Sequence, residues 1–281
     1  MTTIKIAGVP EHFNLPWHLC IENGEFTSHN IDLQWTDVPE GSGKMCEMLR
    51  DGAADMAVIL TEGIIKDIVA GNKSKVVQIY VKSPLIWGIY VDFNSNYNTI
   101  QDLKNKKAAI SRLGSGSQLM TYVNAKNQGW NTDNLSFEIV NTIDGAVDAL
   151  QNQKADYFMW ERFMTAALVE KSIFKKIADC PSPWPCFVIA VSDKILKLHP
   201  QIIKNILQII NAKTLYLKNS DNVKNIIAKR YDLKVHDAEE WLKSTQWSQQ
   251  NINIEMLNKI QNQLFDFKII NKKVTFDEIV A

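Results

Sequence analysis

Apolar and polar positions alternate along Ile4-Lys5-Ile6-Ala7-Gly8-Val9, the period of two that a sheet strand requires. A polar loop follows, Pro10-Glu11-His12-Phe13-Asn14-Leu15-Pro16-Trp17, and then a helix-like run from Trp17 to Gly24. The same order recurs. Ile31-Asp32-Leu33-Gln34-Trp35 alternates as a strand, Pro39 to Lys44 forms a loop, and Met45 to Arg50 reads as helix. Ala54 to Leu60 is a short buried strand ending at Thr61-Glu62-Gly63; a helix reaches Ala70-Gly71, and Val76 to Val81 is apolar again. Strands alternating with helices of about ten residues predict an α/β fold with parallel pairing.

The pattern changes at Ser83-Pro84. Leu85 to Val91 predicts a long strand into a second region. There a strand at Ala108-Ala109-Ile110 leads through Ser111-Arg112-Leu113-Gly114-Ser115-Gly116-Ser117 into a helix from Gln118 to Asn127. Two more strands, Phe137 to Val140 and Ala155 to Met159, flank a helix over Ile143 to Gln151, with Trp160-Glu161-Arg162 at the end of the second. After the proline-rich Pro181 to Cys186, the strand Phe187 to Val191 returns, and from Asp193 the spacing is helical throughout. The expected organisation is a discontinuous first lobe (1–84 and 190–281, the helical tail included) and a second lobe over 85–189. Two linkers imply a hinge, and lobes that close on a hinge suit capture of a small solute.

Composition narrows the class. The 281 residues are 46% hydrophobic and 22% charged, as in an ordinary globular protein. Lys+Arg and Asp+Glu both number 31. The basic excess or stripe of a nucleic-acid binder is missing. No stretch approaches the roughly 18 apolar residues of a membrane span. The start, Met1-Thr2-Thr3-Ile4-Lys5, goes straight into a strand without signal-peptide features, so a cytoplasmic location is expected, or a periplasmic or extracellular one if the chain is a trimmed mature form. Cys20, Cys46, Cys180 and Cys186 form no Cys-x-x-Cys pair and no zinc-type cluster, and they read as free thiols. No metal and no cofactor is expected.

The succession Leu15-Pro16-Trp17, Glu22-Asn23-Gly24-Glu25-Phe26, Ile31-Asp32-Leu33 and Leu49-Arg50-Asp51-Gly52-Ala53-Ala54-Asp55-Met56-Ala57-Val58 resembles the type II periplasmic-binding-protein family. The sulfonate/taurine/thiamine-pyrimidine binding type is the nearest group, and its cytosolic subgroup with fungal and bacterial members is similar in having no signal peptide. Thr99 to Lys107 and Ala149 to Glu161 resemble the same pattern in the second lobe. The resemblance spans roughly residues 4 to 215. It implies a two-lobed α/β fold with a hinge, C-terminal helices and a ligand site between the lobes. An ABC transporter permease is the implied partner if the chain is exported.

Ligands of open α/β sheets bind outside the carboxyl ends of strands. The first loop offers Glu11, His12, Asn14 and Trp17 there. Ser42 and Gly43 open one helix, and Ser115, Gly116 and Ser117 another, where free amides and the positive end of the helix dipole favour an anion. Each loop alone also fits ordinary turn and N-cap chemistry. The Walker spacing is absent, because Gly43-Lys44 is followed by Met45. Arg112 can clamp a carboxylate or sulfonate, or stand free on the surface. Thr61 and Glu62 end a buried strand, where Glu62 can bind an amine or cap the next helix. The resemblance places Trp160-Glu161 at the cleft, with the indole available for stacking. Trp184 is either a cleft wall or a hinge brace.

Two functions of different class follow. One is a binding protein for a small polar or anionic, partly planar ligand. The other is a cytosolic enzyme on the same fold, with His12 or Glu11 as the proton-transfer group. Thiamine-pyrimidine synthases, which this chain resembles in fold, carry a lysine and a histidine after the third strand and a CCCFC stretch. Here those places hold Val58 to Gly63 and Trp184-Pro185-Cys186-Phe187, which argues against that chemistry. Menaquinone-pathway enzymes of the same fold keep the second function in play.

Overall fold

The computed structural model describes residues 1–281 and divides them into two compact units. Unit 1 begins with β1 (Thr2–Gly8), α1 (Leu15–Glu22), β2 (Ile31–Asp37), α2 (Ser42–Asp51), β3 (Met56–Leu60), α3 (Thr61–Val69) and β4 (Ser74–Val81). In β1 the side chains of Ile4 and Ile6 are buried while Thr3 and Lys5 are exposed, as the alternation demands. All of Met56 to Ile59 is buried, which suits an interior strand. Pro16 stands in the first turn of α1, where its missing N–H costs nothing. Gly52 ends α2 at φ +73°, in the left-handed region that glycine enters freely.

The chain enters unit 2 at Pro84 and builds β5 (Ile86–Asp92), β6 (Lys107–Ile110), α4 (Gly116–Asn127), β7 (Ser136–Ile139), α5 (Ile143–Gln151), β8 (Tyr157–Glu161), α6 (Ala166–Glu170) and β9 (Phe174–Pro181). Tyr90, Phe158 and Phe174 form an aromatic centre in its core, with Tyr90 stacked on Phe174 at 5.8 Å. Back in unit 1 the chain forms β10 (Phe187–Ser192), α7 (Asp193–Leu198), α8 (Pro200–Lys218), α9 (Val223–Arg230), α10 (Val235–Ser244), α11 (Ile254–Asp266) and α12 (Phe276–Ile279).

The two sheets share one plan. Strand order is β2-β1-β3-β10-β4 in unit 1 and β7-β6-β8-β5-β9 in unit 2. In each, three strands pair in parallel, and the strand that follows a crossing between units (β10 or β5) inserts antiparallel in fourth place. The sheets are therefore mixed, where the β-α alternation predicted parallel pairing alone. A strand entering from another unit has no preceding crossover helix to impose parallel direction.

The return to unit 1 falls between Pro183 and Trp184, six residues before the expected 190. The physical reason is local. Thr61 N–H donates to the Cys186 carbonyl at 3.1 Å, and Cys186 N–H donates to the Ser83 carbonyl at 3.2 Å, so the segment before β10 is already tied to unit 1. A short piece of the tail, Asp266–Ile269, belongs to unit 2 instead. Its Phe267 stacks on Tyr122 of α4 at 5.6 Å. Strand β9 has no counterpart in the hydrophobic pattern, because Lys175, Lys176 and Asp179 interrupt it at the sheet edge.

Candidate binding site

In unit 1 the loop after β1 is built as a rigid turn. Asn14 Nδ2 donates to the Val9 carbonyl at 2.8 Å, and Tyr80 Oη donates to the Phe13 carbonyl at 2.8 Å. Gly8 is required beneath it, since a Cβ there would lie 2.3 Å from the Trp35 ring. Trp17 is fully buried among Phe26, Trp35 and Tyr80. Asn14 and Trp17, both read from sequence as candidates for ligand contact, thus brace the loop and the core.

His12 is also inside. Its ring meets Trp241 of α10 edge-on at 4.4 Å, Phe13 at 5.1 Å and Tyr231 at 5.9 Å. Burial pulls its pKa down to about 3, so the imidazole stays neutral and is a weak base. Glu11, half-buried, starts the turn, and its carbonyl accepts Asn14 N–H at 2.9 Å.

The ends of β2 and β3 bring Ser42, Thr61 and Glu62 together with the return segment. Thr61 Oγ1 donates to the Pro185 carbonyl at 2.7 Å. Trp184 Nε1 donates to Glu62 Oε2 at 2.7 Å. Glu62 lies in the first turn of α3, and burial raises its pKa to about 7 against the opposing pull of its own backbone amide and the Trp184 indole. Ser42 opens α2 directly over this turn: a Cβ added at Gly63 would be 2.9 Å from Ser42 Cβ. Gly43 sits exposed beside it.

In unit 2 the first turn of α4 carries a hydroxyl network. Ser115 caps the helix by accepting Gln118 N–H at 3.3 Å, and its Oγ lies 3.0 Å from Ser117 Oγ. Ser117 Oγ in turn accepts Ser111 N–H at 3.0 Å. Leu119 N–H reaches the Ser115 carbonyl at 3.0 Å, which leaves the Gly116 and Ser117 amides without a bond inside the helix. Arg112 is exposed four residues before the helix.

Two indoles stand beside this turn. Trp87 of β5 crosses so close to Gly116 that a Cβ there would lie 2.9 Å from its ring. Trp160 of β8 meets Trp87 edge-on at 6.3 Å and stacks on Phe158 at 5.3 Å. Trp160 is half-buried. Sequence reasoning missed Trp87. The available signal was Gly116 itself, a glycine opening a helix where a side chain elsewhere in the unit must approach closely.

Glu161, a second candidate acid, is buried at the end of β8. Its Oε2 accepts Met164 N–H at 2.8 Å and closes the turn that follows, while burial lifts its pKa to about 7. The four thiols are free and buried. Burial holds Cys46 up near 12 and Cys180 near 11, and raises Cys20 further, so these three stay as unreactive thiols. No three His, Cys, Asp or Glu side chains gather as a metal set, and no helix is long and apolar enough to cross a membrane.

Two five-stranded mixed sheets, each with one antiparallel strand inserted after a crossing, define a protein of the periplasmic-binding-protein fold. Within that class, residues 87–180 match the model of the Ca3427-like PBP family. The chain is similar to the Candida albicans CA3427 gene product, at 28% identity and TM-score 0.82 over 99% of this chain and 93% of that one. It is similar in fold to the alkanesulfonate-binding protein SsuA of Xanthomonas axonopodis pv. citri bound to MOPS (14% identity, TM-score 0.81, 100% and 98% covered). The aliphatic sulphonate-binding SsuA of Escherichia coli shares the fold at 17% identity and TM-score 0.76, with 99% and 92% covered. No curated protein matches the chain.

Proposed function

We propose that this chain is a solute-binding protein whose ligand is a small organic anion, with a sulfonate as the leading class. The first turn of α4 carries the reading. It offers the Gly116 and Ser117 amides, the Ser115 and Ser117 hydroxyls, and the exposed Arg112 guanidinium within one short segment. A helix N-terminus with open amides attracts an anionic oxygen, and a guanidinium adds a charged donor. The Trp87 and Trp160 indoles beside that turn suit a flat or apolar body attached to the anion. The same-fold SsuA bound to MOPS, itself a sulfonate, supports the class. Ligand capture by hinge closure is the mode proposed, since the chain passes between its units at 83/84 and 183/184.

Isothermal titration with methanesulfonate, butanesulfonate and MOPS in a sulfonate-free buffer tests this. Stacking and charge-assisted contacts are each worth about 1–3 kcal/mol, so Arg112→Ala and Trp160→Ala should each weaken binding about five- to 150-fold. Both variants should keep the wild-type melting temperature within a few degrees. Binding that is indifferent to both substitutions sinks the site, and no heat from any of the three anions sinks the ligand class.

A further inference from the structure

The first turn of α4 contains a carboxamide of which the fold uses only one end. Gln118 is the third residue of α4, and its side chain folds back over the helix start, where Oε1 accepts Gly114 N–H at 2.6 Å. A backbone N–H can only donate, so the atom facing it is the oxygen, and the orientation of the whole carboxamide is fixed by that bond. Nε2 then points away from Gly114 with two N–H donors. Gln118 is 8% exposed, and its Nε2 makes no hydrogen bond within the protein.

Holding the loop needs the oxygen alone. Gly114 stands at φ +73°, and one residue on, Ser115 N–H donates to the Arg112 carbonyl at 3.2 Å, so the bond from Gln118 braces the turn that carries Arg112. A glutamate at this position would make the same bond, and its charge would favour a helix N-terminus. For stability alone glutamate is the better residue, and what the amide adds is its donors.

Those donors stand where the local acceptors are already engaged. Ser115 Oγ accepts Gln118 N–H, Ser117 Oγ accepts Ser111 N–H, and the two hydroxyls bond to each other. From Ser111 to Gln118 the chain has no acidic side chain. Nε2 therefore joins the open Gly116 and Ser117 amides as a donor awaiting an acceptor on the same turn.

We infer that Gln118 is a ligand-contacting residue of the anion site, giving Nε2 to an oxygen of the bound anion while Oε1 holds the turn that carries Arg112. This assignment rests on the anion reading above, and every group in it belongs to unit 2.

The test is NMR of the wild-type protein with isotope-labelled glutamine side chains and glycine amides, titrated with methanesulfonate in a sulfonate-free buffer. The Gln118 Nε2 protons are identified by their through-space contact with the Gly114 amide proton. They should move on binding together with the Gly116 amide, and their exchange with water should slow. Gln118→Glu keeps the acceptor and loses the donors, so it should hold or raise the melting temperature while weakening methanesulfonate binding about tenfold or more by calorimetry. Gln118→Met, which is uncharged, should weaken binding by a similar factor, so that repulsion from a new carboxylate is excluded as the cause. A Gly116 signal that moves while the Gln118 signal stays, or wild-type affinity in either variant, overturns the assignment and leaves the anion reading standing. The titration is read on the wild-type protein, so the outcome does not depend on how well the variants fold. If neither signal of the turn moves, the anion reading fails and this assignment falls with it.

Discussion

Replacing His12 with phenylalanine should change how the stability of unit 1 depends on pH. His12 is neutral in the fold, with a pKa lowered from 6.5 to about 3 by burial. Once unfolded, it regains its ordinary value. Between those values the unfolded chain binds a proton that the folded one refuses, so His12 supports the fold fully above about pH 6.5 and progressively less as the pH falls. From pH 7 to pH 5 the linkage amounts to a loss of about 2 kcal/mol. Glu62 works in the opposite sense. Its folded pKa is raised from 4.5 to about 7, so its contribution is complete below the unfolded value and is lost as pH rises through 7. Over the same interval, acidification returns about 2 kcal/mol through Glu62. These two groups nearly cancel in the wild type. His12→Phe keeps an aromatic ring against Trp241 and removes only one of the two terms. The variant should become about 2 kcal/mol more stable at pH 5 than at pH 7, relative to the wild type, whatever constant offset the larger ring adds. Hydrogen exchange of the β1 and β3 peptides against urea, at both pH values, reads unit 1 alone. Parallel pH dependence in the two proteins would refute the burial argument, because it would mean that His12 charges as easily folded as unfolded.

Two further substitutions probe the frame of the site. Gly116→Ala places a methyl group 2.9 Å from the Trp87 ring, so thermal unfolding should show a loss of about 1–3 kcal/mol, with a shift in tryptophan emission as the indole pair is displaced. Thr61→Val strands the Pro185 carbonyl, which accepts its hydroxyl at 2.7 Å; denaturant titration should show a loss of about 1–3 kcal/mol, and an unchanged midpoint would show that water replaces the bond.

The elements were legible where one residue's surroundings are set by its near neighbours. The alternation at Ile4 to Val9 and the buried run at Met56 to Leu60 announce strands because side-chain direction repeats every second residue. The helix over Ile143–Gln151 was readable to its ends. The direction of β5 and β10 was not, since pairing partners lie far away in sequence. The same limit separates the two kinds of candidate residue. Ser115 and Ser117 were found because helix-opening chemistry is local, and the structure puts them at the start of α4. His12 looked like an accessible imidazole because its loop is polar, yet what buries it is Trp241, contributed by the helical tail. The packing of that tail is what decides the chemistry of His12.

Trp184 shows the same point from the other side. Its proline-rich segment alone left open whether the indole served as a cleft wall or a hinge brace. The bond to Glu62 changes the question, because a donor committed to a carboxyl is part of that carboxyl's electrostatics. Thr61, one residue earlier, fixes the Pro185 carbonyl next to the indole, so the end of β3 and the segment before β10 hold each other in place. An acid that only capped α3 would sit in water, where the helix dipole and solvent keep it ionised at little cost. Glu62 instead sits where burial outweighs both of its donors and pushes its pKa towards neutrality. A carboxyl held in that balance answers strongly to any change in either of its two donors.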